Sequence, residues 1–284
     1  MTLVWLDFWC RSHRTRCPFR AITGIVAAST FVGCGEPLRS LVSSLLVLLL
    51  LAHGPALAEG DDTAAAKPEV KHLTVAVLGD SLGDGIWGGL YRKLVRDKRY
   101  TVFRGAKNSV GFGGETLIDQ IDKAFAAGPT DAIVMMIGAN DRRGIYVDGA
   151  LAAPYKSPQW ADTYRKRVDD FMNAVAKRSV PLVWILLPIM RESDASVDAK
   201  QINSIIEAAA EGRKDVALVE TWPLTVDGEG HYAAYLKNDK GQSWLVRYTD
   251  GVHFSDAGYD MISEAAFAKL NAMSPSFQLM TSQK

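Results

Sequence analysis

The sequence predicts an α/β protein built on a five-stranded parallel sheet with helices on both faces, and three observations carry that prediction. Five short runs are almost continuously apolar, as strands buried on both faces should be. Helical patterns alternate with them, which suits crossovers that return the chain in one direction. Glycine and polar residues cluster directly after the runs, where an open parallel sheet binds its ligand.

In order, "LTVAVL" (73–78) is the first strand, and it leads through "GDSLGDG" into a helical pattern at 86–97. "YTVF" (100–103) is the second strand, followed by the loop "RGAKNSVGFGGE" and a helix at 115–127. "AIVMMI" (132–137) precedes "GANDRR" and a long helix at 158–178, and "PLVWILL" (181–187) precedes "PIMRE" and a helix at 195–211. "DVALVE" (215–220) is the fifth strand, and the last helix spans 256–271. One stretch breaks the rhythm. Residues 226–248 hold two alternating runs around Asn238-Asp239-Lys240-Gly241 and read as a β-hairpin excursion.

A chain of 284 residues with 48% apolar content can bury a sizeable core in one domain, or two at most. Its net charge is zero, yet the first 58 residues hold five of the 32 basic residues and only two of the 32 acidic ones. No Lys/Arg run long enough to make a clustered basic surface follows residue 60, so nucleic acid is not an expected partner. Arg39 precedes an apolar run at 41–52, and Ala56-Leu57-Ala58 forms the small-x-small pattern that signal peptidase reads. The run is shorter than the roughly 20 residues of a membrane span, so the expectation is a cleaved leader (1–58), with a periplasmic or secreted product and no stable membrane span. Cys34, after an earlier apolar stretch, leaves a lipoprotein or membrane-anchored form as the alternative, and synthesis from a start downstream of Met1 is another. Residues 59–70 read as a linker, 71–273 as the folded domain and 274–284 as a tail. Cys10, Cys17 and Cys34 all lie in the leader, which excludes disulfides and thiolate chemistry from the expected mature chain.

Ser81 sits where the first strand stops, and it needs a base to become a nucleophile. After the leader the sequence offers His72, His231 and His253. His72 precedes the first strand, at the wrong end of the sheet, and His231 lies in the hairpin. His253 just before the last helix returns to the carboxyl-end face, with Asp250 three residues earlier, a spacing that lets one loop set a carboxylate against the imidazole. Asn140 can supply a side-chain amide to an oxyanion, Gly111 a backbone N–H, and Ser81 its own N–H. Simpler readings compete: "GDS" as a turn, "GAND" as an Asx turn, and Ser255 as a helix cap.

"GDSL" at 79–82, the glycine loop, "GAND" at 138–141 and "DGVH" at 250–253 occur in the order and spacing of the GDSL or SGNH hydrolases, and the sequence resembles that family over roughly residues 73 to 272. The ending "DGVHFSDAGY" and the hairpin before it resemble a group of exported bacterial members. The resemblance implies a flavodoxin-like three-layer α/β/α sandwich. It also implies Ser81 as nucleophile, His253 as base, Asp250 as the acid that orients it, and an oxyanion hole of Ser81, Gly111 and Asn140. The glycine is ambiguous, because "VGFGGET" also offers Gly113 and Gly114, with Gly114 the runner-up.

Asp80, Asp84 and Asp141 raise a metal corner, but carboxylates beside turns are usually caps, and serine chemistry needs neither metal nor cofactor. Arg142, Arg143 and Arg191 follow the third and fourth strands, and Arg142 and Arg191 are candidates for holding an anionic substrate group. Trp244, with Trp87 and Trp222, is a candidate sugar-stacking surface, although packing is the commoner role. A phosphate-binding module is disfavoured, because Asp80 and Asp84 would repel the phosphate. The resulting expectation is an exported serine esterase acting through an acyl-enzyme on an acylated small molecule or glycan, most plausibly an O-acetyl ester. An O-acyltransferase with the same site and a non-catalytic glycan-binding scaffold are the rivals.

Overall fold

The computed structural model describes residues 71–277 apart from 115 and 239. The leader, the linker and most of the tail lie outside the described residues. The central sheet is five-stranded and wholly parallel: β1 (Leu73–Gly79), β2 (Tyr100–Arg104), β3 (Ala132–Met136), β6 (Leu182–Ile185) and β7 (Val216–Val219), in the order β2-β1-β3-β6-β7. Two small antiparallel hairpins accompany it, β4 (Ile145–Val147) with β5 (Ala150–Ala153), and β8 (Tyr235–Lys237) with β9 (Ser243–Leu245). Helices α1 (Ser81–Leu94) and α6 (Asp256–Met273) pack together on one face. Helices α2 (Ile118–Ala127), α3 (Pro158–Ala176) and α4 (Ser193–Ala210) cover the other, and α5 (Trp222–Thr225) is a single turn after β7. This is the expected flavodoxin-like three-layer sandwich. The strand order reverses between β1 and β3, so the loops after these two strands open at the switch point where such sheets bind ligands.

The central strands β1, β3 and β6 are buried almost throughout, while the edge strands β2 and β7 are only partly so. Helix α1 starts at Ser81, five residues before the periodicity indicated. Asp80 is the reason: its backbone is extended, and its side chain accepts the Leu82 N–H at 2.9 Å as an N-cap. Leu82, Ile86, Leu90 and Leu94, spaced by four, are fully buried and contribute about 1.5–3 kcal/mol each. The hairpin of β4 and β5 has no alternating pattern long enough to mark it in the sequence; that of β8 and β9 closes through the predicted turn, where Asn238 N–H donates to Gln242 O at 3.0 Å.

The glycines of "GDSLGDGIWGG" answer to two close approaches. Gly79 has φ +123°, and a Cβ there would lie 2.0 Å from the Met136 carbonyl of β3, so only glycine ends β1 in register with its neighbour. Gly85 and Gly89, one turn apart on α1, let α6 come close: a Cβ on Gly85 would meet the Tyr259 ring at 2.0 Å, and one on Gly89 the Ser263 Oγ at 2.3 Å. Overpacking of this contact costs about 1–3 kcal/mol. Gly89→Val is therefore expected to lower the denaturation midpoint by an equivalent of about 2–3 kcal/mol. Gly228→Ala, where a Cβ meets nothing within 4 Å, should stay within about 0.5 kcal/mol of wild type.

Candidate active site

Ser81, the first residue of α1, is half-buried, and its Oγ lies 2.7 Å from His253 Nε2. His253 Nδ1 lies 2.7 Å from Asp250 Oδ2. The other carboxylate oxygen accepts the backbone N–H groups of Val252 (2.8 Å) and His253 (2.9 Å). Burial acts to raise the Asp250 carboxyl, but these two amides and the imidazole outweigh it and bring it down to about 2. An ionised Asp250 holds the Nδ1–H tautomer, which leaves the Nε2 lone pair facing the Ser81 hydroxyl. The three residues brought together from two ends of the domain form one hydrogen-bonded line.

The loop after β2 is pinned by Phe112, which is fully buried among Tyr164, Phe171 and Trp184 with ring centroids at 5.7 to 6.0 Å. Asp141 ties the same loop down. Its carboxylate accepts the Gly113 N–H at 2.8 Å, the Phe112 N–H and the Tyr164 hydroxyl at 2.9 Å. This knot separates the three glycines. The Gly113 amide is spent on Asp141, and the Gly114 amide donates to Gly111 O at 3.1 Å. Among the described residues the Gly111 and Ser81 N–H groups meet no protein acceptor within hydrogen-bond range. A Cβ on Gly111 would lie 2.1 Å from Asp141 Oδ1, so the backbone runs against the carboxylate as only glycine can. Asn140 Nδ2 donates to Val110 O at 3.0 Å and, over a longer 3.3 Å, to Asp80 Oδ2.

The three aspartates weighed as a metal corner have other partners. Asp80 caps α1 and accepts Gly138 N–H at 3.3 Å, Asp84 pairs with Arg104 at 2.6 Å, and Asp141 holds the glycine loop. Arg142 donates from Nε to Asp198 of α4 at 2.7 Å, and Arg191 donates to Thr249 O beside the Asp250 turn. Trp244 is half-buried on β9 against the core, Trp87 stacks on Tyr91 at 5.4 Å, and the Trp222 indole donates to Leu187 O at 3.0 Å. No tryptophan among them is placed by its contacts at the serine.

Two structural anchors carry no signal in the sequence. Gln120 of α2 makes a two-way pair with the Gly79 backbone, accepting its N–H at 2.8 Å and donating to its carbonyl at 3.0 Å, which steadies the turn before Ser81. Arg247 is completely buried between the rings of Tyr232 and Phe254. Its guanidinium donates to the carbonyls of Ile189 (2.6 Å), Gly251 (3.2 Å) and Val252 (2.9 Å), so it grips the histidine loop from beneath. Burial draws it down to about 10, which leaves it a cation at neutral pH.

The fold is that of the GDSL/SGNH lipases and esterases. Two solved structures illustrate the likeness. A candidate platelet activating factor from Streptococcus pneumonia is 18% identical with TM-score 0.50, the match covering 72% of this chain and 86% of that one. A lipase/acylhydrolase from Enterococcus faecalis is 14% identical with TM-score 0.50, covering 71% and 96%. Residues 74–269 match the family described as "Protein of unknown function (DUF459)", and the chain belongs to that family. No curated protein matches the sequence.

Asp80 yields a pH-dependent stability. Burial pushes its carboxyl up to about 7, with the charge of Asp141 adding to the rise and the amides of Leu82, Gly138 and Gly83 opposing it. Unfolded, the group ionises near 3.8. Between these values the native state keeps a proton that the unfolded chain has lost, so stability falls as pH rises, by at most about 1.4 kcal/mol per unit from this group. Denaturant titrations at several pH values from about 4 to 7 should show that decline, and Asp80→Asn should flatten it in part, with Asp141, raised by burial, retaining the remainder.

Proposed function

We propose that the protein is a serine esterase that cleaves a short acyl ester, an O-acetyl group above all, from a hydrophilic alcohol such as an envelope or extracellular glycan. The observation that supports it is the unbroken line Ser81–His253–Asp250 with 2.7 Å at both links. In the first half-reaction His253 Nε2 takes the hydroxyl proton as Ser81 Oγ bonds to the ester carbonyl carbon. The resulting oxyanion is received by the N–H groups of Ser81 and Gly111 and by the Asn140 amide, which exchanges its long contact to Asp80 for the new one. Collapse breaks the bond to the alkoxy oxygen, and the proton on Nε2 passes to the departing alcohol. Water then gives its proton to Nε2 and attacks the acyl-enzyme, which releases the acid and returns the proton to Ser81. Asp250 stays ionised throughout and stabilises the imidazolium.

A hydrophilic alcohol suits the surroundings, where Arg142 and Arg143 are exposed beside Asn140. The leader reading stands with this proposal: the catalytic domain follows a cleaved signal and acts outside the cytoplasm. Among the described residues no helix is long and apolar enough to cross a membrane.

Ser81→Ala is expected to lower turnover on p-nitrophenyl acetate by roughly a million-fold, and a fluorophosphonate should label wild type at Ser81 alone. Asn140→Ala should cost about a hundred- to a thousand-fold, in turnover rather than in the Michaelis constant. Full activity without Ser81 would refute the assignment, and product appearing on an added glycan in place of free acid would make the enzyme a transferase. For export, Edman sequencing of tagged protein recovered outside the cytoplasm should begin at or near Glu59, and a fatty-acylated Cys34 would instead indicate a lipoprotein.

A further inference from the structure

An apolar cavity of about 50 Å³ lies behind the loops that carry Asn140 and His253, walled by Ala139 and Val252 next to those residues, by Gly138, Leu187 and Met190, and by Ala195, Ala199 and Ile202 of α4, with Arg142 at its edge. Its floor and its mouth differ. Leu187, Ala199 and Ile202 are buried to within 2% of complete, whereas Ala139 and Val252 are half-buried and Arg142 is exposed. The cavity is therefore a blind pocket, and its open end lies at residues adjacent in sequence to Asn140 and His253. Those two residues flank the carbonyl of any ester that Ser81 attacks. Gly138, at φ +125°, brings the backbone against the floor, since a Cβ there would stand 2.9 Å from Leu187 Cδ1 and 3.2 Å from Ile202 Cγ2.

We propose that this pocket is the acyl subsite and that its depth limits the enzyme to acetyl and propionyl esters. The inference rests on the esterase reading and adds to it the residues that select the acyl group. With the carbonyl carbon at Ser81 and its oxygen turned to Gly111 and Asn140, the acyl substituent points between the Asn140 and His253 loops, which is where the pocket opens. An apolar cavity about three times larger takes up benzene, so this one holds about two carbon atoms beyond the carbonyl. Its width is held by a clamp. Asp198 of α4, itself buried, pairs with Arg142 at 2.7 Å and Lys156 at 2.8 Å, which ties the loop after β3 to the helix that carries Ala195 and Ala199. That pairing also neutralises the one charged side chain in the wall, so the lining is apolar and a charged acyl group is excluded. The alanines matter for a steric reason: a larger residue at either position on α4 occupies the space that the acyl group needs.

The test measures specificity constants of the purified chain from residue 59 on p-nitrophenyl acetate, propionate, butyrate and octanoate, and on acetates of varied alcohols. Wild type is expected to lose about tenfold or more for each carbon beyond propionyl. Ala199→Leu should shrink the pocket and depress propionate more than acetate. Ile202→Ala should deepen it and raise butyrate relative to acetate by about tenfold. Because Ile202→Ala removes core volume, Ala195→Leu, which adds volume in the first turn of α4, provides a second variant, read with circular dichroism to establish folding, and is expected to act as Ala199→Leu does. An unaltered chain-length profile in folded variants of an active enzyme overturns the subsite and leaves the esterase reading standing. A changed dependence on the alcohol in place of the acyl group overturns it too, and assigns the pocket to the leaving group. Absence of any ester hydrolysis by wild type together with no labelling of Ser81 overturns both.

Discussion

Two buried carboxylates, Asp80 and Asp141, hold the site in place, and most of its geometry follows from how their charge is accommodated. A carboxylate removed from water must be hydrogen-bonded on both oxygens or take up a proton. Asp80 meets this by accepting the Leu82 amide at the start of α1, the Gly138 amide after β3 and the Asn140 side chain. Asp141, next in sequence to Asn140, draws in the Phe112 and Gly113 amides and the Tyr164 hydroxyl. Ser81, Asn140 and Gly111 each stand within one residue of a group that these carboxylates hold. The geometry of the proposed oxyanion hole is thus set by side chains that take no part in the proposed chemistry, and the backbone donors offset only part of the cost of burying Asp80 and Asp141, whose carboxyls stay raised.

The histidine loop is organised by the opposite charge. Arg247 brings a cation into the interior, pairs with no carboxylate among the described residues, and meets three carbonyl oxygens and two aromatic faces. Among the described residues its Nε finds no hydrogen-bond partner, so the compensation is incomplete. Two of those carbonyls belong to Gly251 and Val252, between Asp250 and His253, and Gly251 turns there with φ +76°. With its carbonyls held below, the turn directs its amides up at Asp250, and the carboxylate then meets the imidazole. The interaction that orients His253 therefore begins on the other side of the loop from the serine.

The Asp198 clamp works in the same manner at the mouth. A carboxylate on α4 reaches Arg142 from the β3 loop and Lys156 from the segment before α3, joining three parts of the chain. Burial would raise Asp198, and the hydrogen bonds from Lys156, Arg142 and Tyr155 reverse the direction. Arg142, expected from the sequence as an anchor for an anionic group, is thereby committed first to this pairing.

The sequence by itself determined the parallel five-stranded sheet, the helices between its strands and the predicted hairpin at 226–248, because continuous apolar runs and helical spacing are local properties of the chain. It also singled out Ser81, Asn140, Asp250 and His253, since each stands at a strand end or loop where the side-chain type alone suggests the chemistry. It placed the start of α1 too late, because four glycines dilute the helical pattern and the capping of Leu82 by Asp80 is a matter of geometry. Only the tertiary structure separated Gly111 from Gly113 and Gly114, since the difference lies in which amides an aspartate twenty-eight residues from Gly113 occupies. It alone decided the parts of Asp141, Gln120 and Arg247, whose partners are 41 residues from Gln120 and up to 58 from Arg247. A local pattern records what a residue can do; which donor or acceptor it meets depends on chain segments that only folding brings together.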